Sequence, residues 1–319
     1  MNTNQIKTSC IINNYNYAAF LSEAVDSALQ QTVKFDEIII VDDASTDNST
    51  EVITKFAQET YVQYILKEKN KGQLSSFNEA FLATSGDLIF FLDADDSYEP
   101  KYLETVLNFY EKRRECDFLF CAYQKFGAAQ GVYQDYELDL DLGYSVIKTL
   151  CNGEWIGSIT STLSIRREIL AKILPISNTE DWRVRADDCL IWGASLVGAR
   201  KFYISQPLIN YRIHQNNQFH NKQSFVLDKN YEYKRLLKRN SLFNYILLKN
   251  NLTLPYLLAF TALTELKTIP CPTTKDFLVY LKIIFLFEQN FYWKIKGMFL
   301  LFSYFVKIYL IGKLQKRST

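Results

Sequence analysis

Histidine and paired cysteine are scarce in this sequence of 319 residues. It contains two histidines, His214 and His220, and six cysteines that form no C-x-x-C pair and have no histidine nearby. These counts exclude a histidine-based metal cluster and argue against a zinc site. The first residues also show no secretory signal, so we expect the cysteines to be reduced core residues of a cytoplasmic protein.

Long hydrophobic runs are missing as well. A membrane-spanning helix needs about 20 consecutive apolar residues, and the most apolar stretches, residues 277–287 and 298–306, are shorter and are interrupted or bounded by Lys282 and Lys307. Lysine and tyrosine interleaved with apolar residues fit helices that lie in the headgroup region of an anionic membrane. The alternative is a helical region packed on the rest of the protein or on a second copy of the chain. We expect peripheral contact with the inner face of the cell membrane and leave a homodimer open.

Charge divides the chain into two parts, although its formal net charge is only +1. Residues 1–221 contain 20 Lys and Arg against 30 Asp and Glu, whereas residues 222–319 contain 16 against 5. We therefore expect an acidic domain over residues 1–222 and a basic, aromatic-rich helical region over residues 223–319. We expect no nucleic-acid partner.

Short apolar runs alternate with helical stripes in the first part of the chain. The runs cover residues 8–13, 37–41, 61–66, 87–92 and 118–122. Strands that alternate with helices predict an α/β fold with a doubly wound, mostly parallel sheet flanked by helices. The glycine-interrupted stretch that follows, up to residue 186, predicts loops with a few irregular elements, and the chain after about residue 225 has a helical pattern.

The most informative stretch is residues 88–97, where an apolar run passes directly into Asp93, Asp95 and Asp96. A short, continuous apolar run predicts a strand buried on both faces, and ligands of parallel sheets bind beyond the carboxyl ends of the strands. Crowded carboxylates repel one another unless a cation joins them, and Mg²⁺ commonly takes one or two carboxylates plus substrate phosphates. The alternative, capping of a helix that begins near Pro100, accounts for only one carboxylate.

Three motifs together resemble the nucleotide-sugar domain of the family 2 glycosyltransferases. They are Y-N at residues 15–16, V-D-D-A-S-T-D at residues 41–47 and L-D-A-D-D at residues 92–96. The resemblance covers about residues 6–215. It implies a GT-A fold, inverting transfer from a nucleotide sugar with a UDP-sugar favoured, and a divalent cation, Mn²⁺ or Mg²⁺.

The resemblance also implies roles for single residues. It places three of them around the nucleotide base, Asn13, Tyr15 and Asp43. Asp93 would face the ribose and the metal, and Asp95 would ligate the cation that bridges the diphosphate. Whether Asp96 shares that task stays open. Lys71 and Asn78 loosely match positions near the sugar or phosphate, and a solvated surface lysine is the alternative for Lys71.

A general base and a further metal ligand are implied in the same way. Asp187-Asp188 precedes an apolar helix and resembles the Glu-Asp pair of the family, in which the second carboxylate, Asp188, would be the base. Two adjacent like charges raise the pKa of one another, which suits a base that works near neutral pH. A helix cap at Asp187 is the alternative. Y-R-I-H at residues 211–214 resembles the closing segment of the domain, where His214 would complete the metal site or be structural.

The resemblance implies a glycosyltransferase that adds one sugar to a hydroxyl of a glycan or of a polyprenyl- or lipid-linked acceptor in cell-surface polysaccharide synthesis. The Q-x-x-R-W motif of processive synthases is absent. A sugar nucleotidyltransferase is an alternative, but residues 8–20 lack the glycine and basic residues of its phosphate loop. A non-catalytic binding or assembly protein with the same fold is a second alternative, and the retention of four carboxylates argues against it: Asp43, Asp93, Asp95 and Asp188.

Overall fold

Strands and helices alternate through the first half of the protein, as the sequence predicts. The computed structural model describes residues 6–215, 229–269, 272–288 and 290–315. The elements up to residue 127 are, in order, β1 Thr8–Asn14, α1 Ala18–Leu29, β2 Glu37–Asp42, α2 Ser49–Thr54, β3 Val62–Leu66, α3 Gln73–Ala83, β4 Leu88–Asp93, β5 Ser97–Tyr98, α4 Tyr102–Lys112 and β6 Phe118–Gly127. The later elements are β7 Gly131–Tyr133, β8 Leu140–Gly143, α5 Val146–Asn152, β9 Ser164–Arg166, α6 Arg167–Ile173, α7 Ala186–Leu196, β10 Lys201–Ile213, α8 Lys229–Lys249, α9 Leu254–Thr268, α10 Thr274–Phe287 and α11 Phe291–Gln315.

The sheet is parallel on one side, from β3 to β4, and mixed elsewhere. Its strand order is β3-β2-β1-β4-β9-β6-β10-β5, with β7 beside β6 and β8 beside β10. β1 pairs in parallel with β2 and β4, β2 with β3, and β6 with β10. β9 and β5 enter antiparallel. The predicted α/β fold with a mostly parallel sheet is confirmed.

Helices cover both faces of the sheet, because successive side chains of a strand point to opposite faces. In β1, Ile11 packs in the cluster beneath α3, α6, α7 and α8, whereas Cys10 and Ile12 pack in the cluster beneath α1, α2 and α4. The buried residues of α1 recur at helical spacing along one side, at Leu21, Ala24, Val25 and Ala28. The two apolar clusters hold the carboxyl ends of β1, β2 and β4 along one edge.

Residues 127–186 contain more regular structure than their sequence pattern predicts. β7, β8, α5, β9 and α6 all fall in this stretch, and β9 inserts between β4 and β6 in the sheet. Each of these elements has three to seven residues. Elements this short are stabilised mainly by tertiary packing, so a sequence pattern carries little sign of them.

The described residues from 229 onward are helical, as predicted. α8 packs on the sheet domain, because Leu242, Phe243 and Ile246 are buried in the cluster beneath α3, α6 and α7. α9, α10 and α11 share a separate cluster with Ile147 of α5. Within the described ranges, no helix is both long enough and apolar enough to cross a membrane. The predicted boundary at residue 222 lies outside the described residues.

The predicted burial of the cysteines is only partly met. Four of them are buried, Cys10, Cys116, Cys121 and Cys189, and all four have free thiols. Burial raises the pKa of the Cys10 thiol to about 12, which keeps it protonated and unreactive. Cys151, in the last turn of α5, is exposed and does not belong to the core. Cys271 and His220 lie outside the described residues.

Candidate active site

A cavity of about 490 Å³ lies where β1, β2 and β4 end. It is lined by one glycine, one valine and otherwise polar, charged and aromatic residues, namely Asn13, Tyr15, Tyr17, Asp43, Asn70, Gly72, Gln73, Asp93, Asp95, Arg183, Val184, Arg185 and Tyr211. The lining includes all the residues that the resemblance assigns to the base and the ribose, and Asp95, which it assigns to the metal. The structure therefore brings together positions that are up to 82 residues apart in the sequence.

The register of the strands explains why these residues meet. β1 pairs with β2 so that Asn13 lies opposite Val41, and with β4 so that Asn13 lies opposite Asp93. Asp43 directly follows Asp42, the last residue of β2. Because parallel strands present their carboxyl ends at one edge, the three polar termini form the floor of a single cavity.

The Asp43 carboxylate forms an ion pair with Lys67, which belongs to none of the sequence motifs. Lys67 Nζ lies 2.6 Å from Asp43 Oδ1, and the two side chains are only 4% and 3% exposed. The backbone N–H groups of Lys71 and Gly72 donate to the same carboxylate at 2.9 and 2.6 Å. Asp43 thus fixes the loop that follows β3. The feature of the sequence that could have pointed to Lys67 is its position directly after β3, the strand that pairs with β2.

Gly72 and Gln73 connect this loop to the segment before α7. Gly72 has φ +87°, and an added Cβ would lie 2.3 Å from Cα of Arg183, so only glycine fits. Gln73 Oε1 accepts from the backbone N–H of Ala186 at 3.0 Å, and its Nε2 donates to Asp93 at 3.1 Å. Gln73 therefore joins the start of α7 to the end of β4. No motif marks Gln73 in the sequence.

Asp42 and Asp96, from the two acidic motifs, hold neighbouring segments of the chain. Asp42 Oδ1 accepts from the hydroxyl of Ser45 at 2.6 Å. Asp96 accepts from the hydroxyl of Ser161 at 2.6 Å and from the backbone N–H of Arg212 at 3.0 Å. Burial, followed by the charges of the two other carboxylates in its motif, raises the pKa of Asp96 well above its usual range. Asp96 thus links the end of β4 to β10 and does not cap α4.

Asp95 forms a close pair with His214. Asp95 Oδ2 lies 2.9 Å from His214 Nε2, and the side chains are 10% and 13% exposed. Two aromatic rings of the first β-α unit contact the imidazole, with ring centroids 5.6 Å away for Tyr17 and 4.8 Å away for Phe20. His214, which directly follows β10, therefore lies beside the acidic motif that follows β4, although it does not line the cavity.

Part of a divalent-cation site is present at this edge. Burial, followed by the charges of Asp95 and Asp187, raises the pKa of Asp93 to about 8. A carboxylate and an imidazole, from Asp95 and His214, are ligands that divalent metals accept. Among the described residues, no group of three or more His, Cys, Asp or Glu side chains is arranged to hold a metal ion.

Asp187 and Asp188 occupy different environments in the first turn of α7, which begins at Ala186. Asp188 is fully buried, and Arg185 donates to both of its oxygens at 3.0 Å. Asp187 is partly exposed, and its Oδ1 accepts from the backbone N–H of Asp188 at 3.1 Å. Burial and the charge of Asp188 raise the pKa of Asp187 to about 7. The motif predicts Asp188 as the base, whereas access and pKa favour Asp187.

The two loosely matched residues, Lys71 and Asn78, do not present side chains to the cavity. Lys71 is exposed, in agreement with a solvated lysine, and takes part through its backbone. Asn78 Nδ2 donates to the backbone oxygen of Ile176 at 2.8 Å, and Asn78 Oδ1 accepts from the N–H of Ile176 at 3.0 Å. Asn78 therefore positions the chain after α6.

A polar cavity at the carboxyl ends of parallel strands, in a sheet with helices on both faces, is the arrangement of an α/β protein of the GT-A type. Residues 9–174 match the family profile described as Glycosyl transferase family 2. The chain belongs to glycosyl transferase family 2.

Known proteins agree with this assignment. An uncharacterized glycosyltransferase of Nostoc sp., alr2836, is 36% identical over 218 residues, which are 66% of this chain and 66% of that protein. TuaG of Bacillus subtilis, provisionally named a teichuronic acid biosynthesis glycosyltransferase, is 32% identical over 116 residues, 36% of this chain and 46% of TuaG. The chain thus spans less than two thirds of the length of these relatives. Residues 1–349 of S. aureus TarS, in complex with UDP-GlcNAc, share the fold, with a TM-score of 0.57, 17% identity and coverage of 89% of this chain and 81% of that fragment.

Proposed function

We propose that this protein transfers a single sugar from a UDP-sugar to a hydroxyl of a glycan or lipid-linked acceptor, with inversion at the sugar carbon, in the synthesis of a cell-surface polysaccharide. The observation that carries the proposal is the cavity in which Asn13, Tyr15 and Asp43 lie beside Asp93 and Asp95. The crystallisation of TarS with UDP and UDP-GlcNAc supports the donor class. The name of TuaG supports the polysaccharide setting.

Three residues would recognise the nucleoside. The Tyr15 side chain is 40% exposed and offers a ring on which a base can stack. Asn13 Oδ1 is buried and has no hydrogen-bond partner in the described part of the chain, so it can accept from a base N–H. The Asp43 carboxylate, already fixed by Lys67 and the following loop, keeps one acceptor site, on Oδ2, for the ring imide. Asp93 would face the ribose.

A divalent cation, Mn²⁺ or Mg²⁺, held by Asp95 and His214 would supply positive charge that neutralises the departing diphosphate. The acceptor oxygen attacks the sugar carbon from the face opposite the diphosphate while the bond to the diphosphate breaks. A carboxylate must then take the hydroxyl proton. We assign this proton to Asp187, because it is partly exposed, and we assign Asp188 to holding Arg185 at the start of α7.

Nucleotide binding tests the proposal directly. We expect UDP with Mn²⁺ to raise the melting temperature of the full chain more than GDP, CDP or dTDP, because a ligand that binds only the folded state stabilises it by about 2.7 kcal/mol at 100 times its Kd. In the Asp95→Ala variant, the part of the rise that depends on Mn²⁺ should disappear. Differential scanning fluorimetry with and without Mn²⁺ measures both effects.

Glu111→Ala is the matched control, because it removes an exposed carboxylate on α4, outside the cavity. This variant should respond to UDP and Mn²⁺ like the unchanged chain. If no nucleotide raises the melting temperature of the unchanged chain, the transferase proposal fails. The hypothesis of a non-catalytic protein with the same fold is then favoured.

The basic C-terminal region supports a second part of the proposal, peripheral contact with the inner face of the cell membrane. Large apolar side chains of α10 and α11 are between 54% and 77% exposed, at Phe285, Phe291, Tyr292, Trp293 and Phe299. Lys294 lies over the Phe285 ring at 5.4 Å, and Lys296 lies over the Trp293 ring at 4.6 Å. Exposed aromatic rings flanked by lysines suit the boundary between headgroups and acyl chains.

Vesicle binding is the measurement for this part. The full chain should sediment with vesicles of phosphatidylcholine and phosphatidylglycerol but not of phosphatidylcholine alone. The double variant Lys294→Glu, Lys296→Glu should bind at least roughly tenfold more weakly, since each lysine near such a surface contributes about 1 kcal/mol. Lys101→Glu, Lys112→Glu, on and beside α4, is the control pair. Equal binding to both vesicle types, or a doubled mass in light scattering without vesicle binding, would instead assign this surface to apolar packing or to a second copy.

A further inference from the structure

A second cavity, of about 440 Å³, lies between α7, α8 and the turn that follows α5. It is lined by aromatic and basic residues together with one glycine and one leucine, namely Gly153, Trp155, Trp192, Tyr233, Arg235, Leu236 and Arg239. Its volume is within the range of small-molecule sites, which also combine an apolar lining with a few polar groups. None of these residues belongs to the motifs of the sequence analysis.

Several buried N–H donors of the residues that line this cavity have no acceptor within the described part of the chain. In the part of the chain that the structure describes, four N–H groups have no hydrogen-bond partner, Nε1 of Trp155 and Trp192 and Nε of Arg235 and Arg239. A buried donor without a partner costs free energy, and most such groups in folded proteins are paired. Four of them around one cavity indicate that a ligand rich in acceptor oxygens completes the site.

The charge of the lining specifies the ligand further. Two guanidinium groups face this cavity region, and the described residues that line it include no Asp or Glu. Gly153, with φ +66°, leaves room for Arg239, since an added Cβ would lie 1.9 Å from Arg239 Nη1. Guanidinium groups recognise carboxylate and phosphate by paired hydrogen bonds, and the indole rings add flat apolar surface.

One arginine from the lining of each cavity contacts the buried carboxylate of Asp188. Arg185, which lines the donor cavity, contacts Asp188 at 3.0 Å, and Arg235, which lines the second cavity, approaches the same carboxylate to 3.7 Å. The Arg235 guanidinium also lies 5.5 Å from the centre of the Trp192 ring. A group bound in the second cavity would therefore lie behind the first turn of α7, which carries Asp187.

We propose that the second cavity binds an oxyanion-bearing sugar of the acceptor, with Arg239 and Arg235 on the phosphate or carboxylate group and Trp155 beside the sugar ring. The proposal rests on the proposed transferase function, because it assigns the acceptor to this cavity and the donor to the first. It predicts an acidic or phosphorylated glycan as the acceptor and predicts that a neutral glycan binds poorly.

Indole N–H signals provide the test. The full chain, labelled with ¹⁵N-tryptophan, is titrated separately with glucose 1-phosphate, glucuronic acid, glucose and inorganic phosphate. The signals of Trp155 and Trp192, assigned with Trp155→Phe and Trp192→Phe, should shift with the sugar phosphate or the sugar acid, and glucose should bind at least tenfold more weakly. Whichever of the two acids binds more tightly identifies the anion. Arg239→Gln should weaken that binding about tenfold, and Arg113→Gln, at an exposed arginine after α4, should leave it unchanged.

UDP binding, measured on the same samples, separates this inference from the proposed function. If UDP with Mn²⁺ binds but neither sugar anion shifts the two signals, or if glucose or inorganic phosphate binds as tightly as the sugar anion, the assignment of the second cavity is overturned and the donor site stands. An equal loss in Arg239→Gln and Arg113→Gln would overturn it too, because the binding would then reflect only the charge of the protein. Sugar-anion binding without any UDP binding would overturn the transferase proposal and the acceptor assignment that rests on it.

Discussion

Replacing Asp187 with Asn is expected to lower kcat for sugar transfer by about 10²–10⁴-fold, the range that a positioned general base contributes. The substitution keeps the shape of the side chain and removes its ability to take a proton. Asp187 is the partly exposed member of its pair, and burial together with the charge of Asp188 beside it favours proton uptake. The affinity for UDP with Mn²⁺ should remain near that of the unchanged chain.

The adjacent variant, Asp188→Asn, is the sharpest comparison. Asp188 is fully buried against Arg185, so its neutral replacement should lower the melting temperature, because the partner arginine loses its counter-charge. Near-normal activity in Asp187→Asn, together with an unaltered melting temperature and lost activity in Asp188→Asn, would return the base to Asp188, as the motif predicts.

The same assignment predicts the dependence of the rate on pH. Burial and the neighbouring carboxylate raise the pKa of Asp187 to about 7, and only its deprotonated form can accept a proton. For the unchanged chain, kcat/KM should therefore fall as the pH falls through about 7, and this profile reports the free enzyme. The residual activity of Asp187→Asn should lack this acidic limb. A pH profile with the same limb in both proteins would assign the limb to another group.

Lys67→Met is expected to lower the free energy of unfolding by about 3 kcal/mol, because removal of one partner leaves a buried charge without its counter-ion. Lys67 Nζ and Asp43 Oδ1 are 2.6 Å apart, and neither side chain is more than 4% exposed. Methionine preserves most of the apolar stem of lysine, so the loss reports the charge. Urea denaturation followed by circular dichroism measures it.

The double variant Lys67→Met, Asp43→Asn provides the control for charge. It removes both charges, so it should recover part of the stability that the single variant loses, and the difference gives the coupling between the two residues. The backbone N–H groups of Lys71 and Gly72 donate to different oxygens of Asp43, so only one of them can still donate to the amide oxygen, and the recovery should be partial. A single variant as stable as the unchanged chain would show that the pair contributes nothing to stability and would contradict its role in fixing the loop.

The sequence predicts the strands that carry the site better than it predicts the site itself. The run into Asp93 and Asp95 is a buried strand that ends at the edge of a parallel sheet, as expected for a continuous apolar segment followed by charge. The apolar run that ends at Asp42 is likewise a buried strand, β2. Residues 127–186 are different, because their short elements depend on β9 pairing between β4 and β6, a contact that no local pattern expresses.

Within each pair of adjacent carboxylates, the burial of the side chains separates the residue that faces the site from the residue that has a structural role. Asp95 and Asp96 are adjacent and chemically identical, yet Asp96 accepts from Ser161 and Arg212 while Asp95 faces His214. Burial likewise separates the two carboxylates at the start of α7. The distinctions follow from tertiary neighbours that lie at least 65 residues away for Asp96 and Asp95.

By itself, the sequence determined the α/β class, the parallel core and the edge at which the acidic residues gather, because apolar periodicity and strand ends are local properties of the chain. Only the tertiary structure decided which carboxylates are reachable, that Lys67 neutralises Asp43, that Gln73 ties α3 to α7, and that two tryptophans and two arginines surround a second cavity. The physical reason is that burial, ion pairing and cavity shape arise from contacts between distant segments, which periodicity along one segment does not encode.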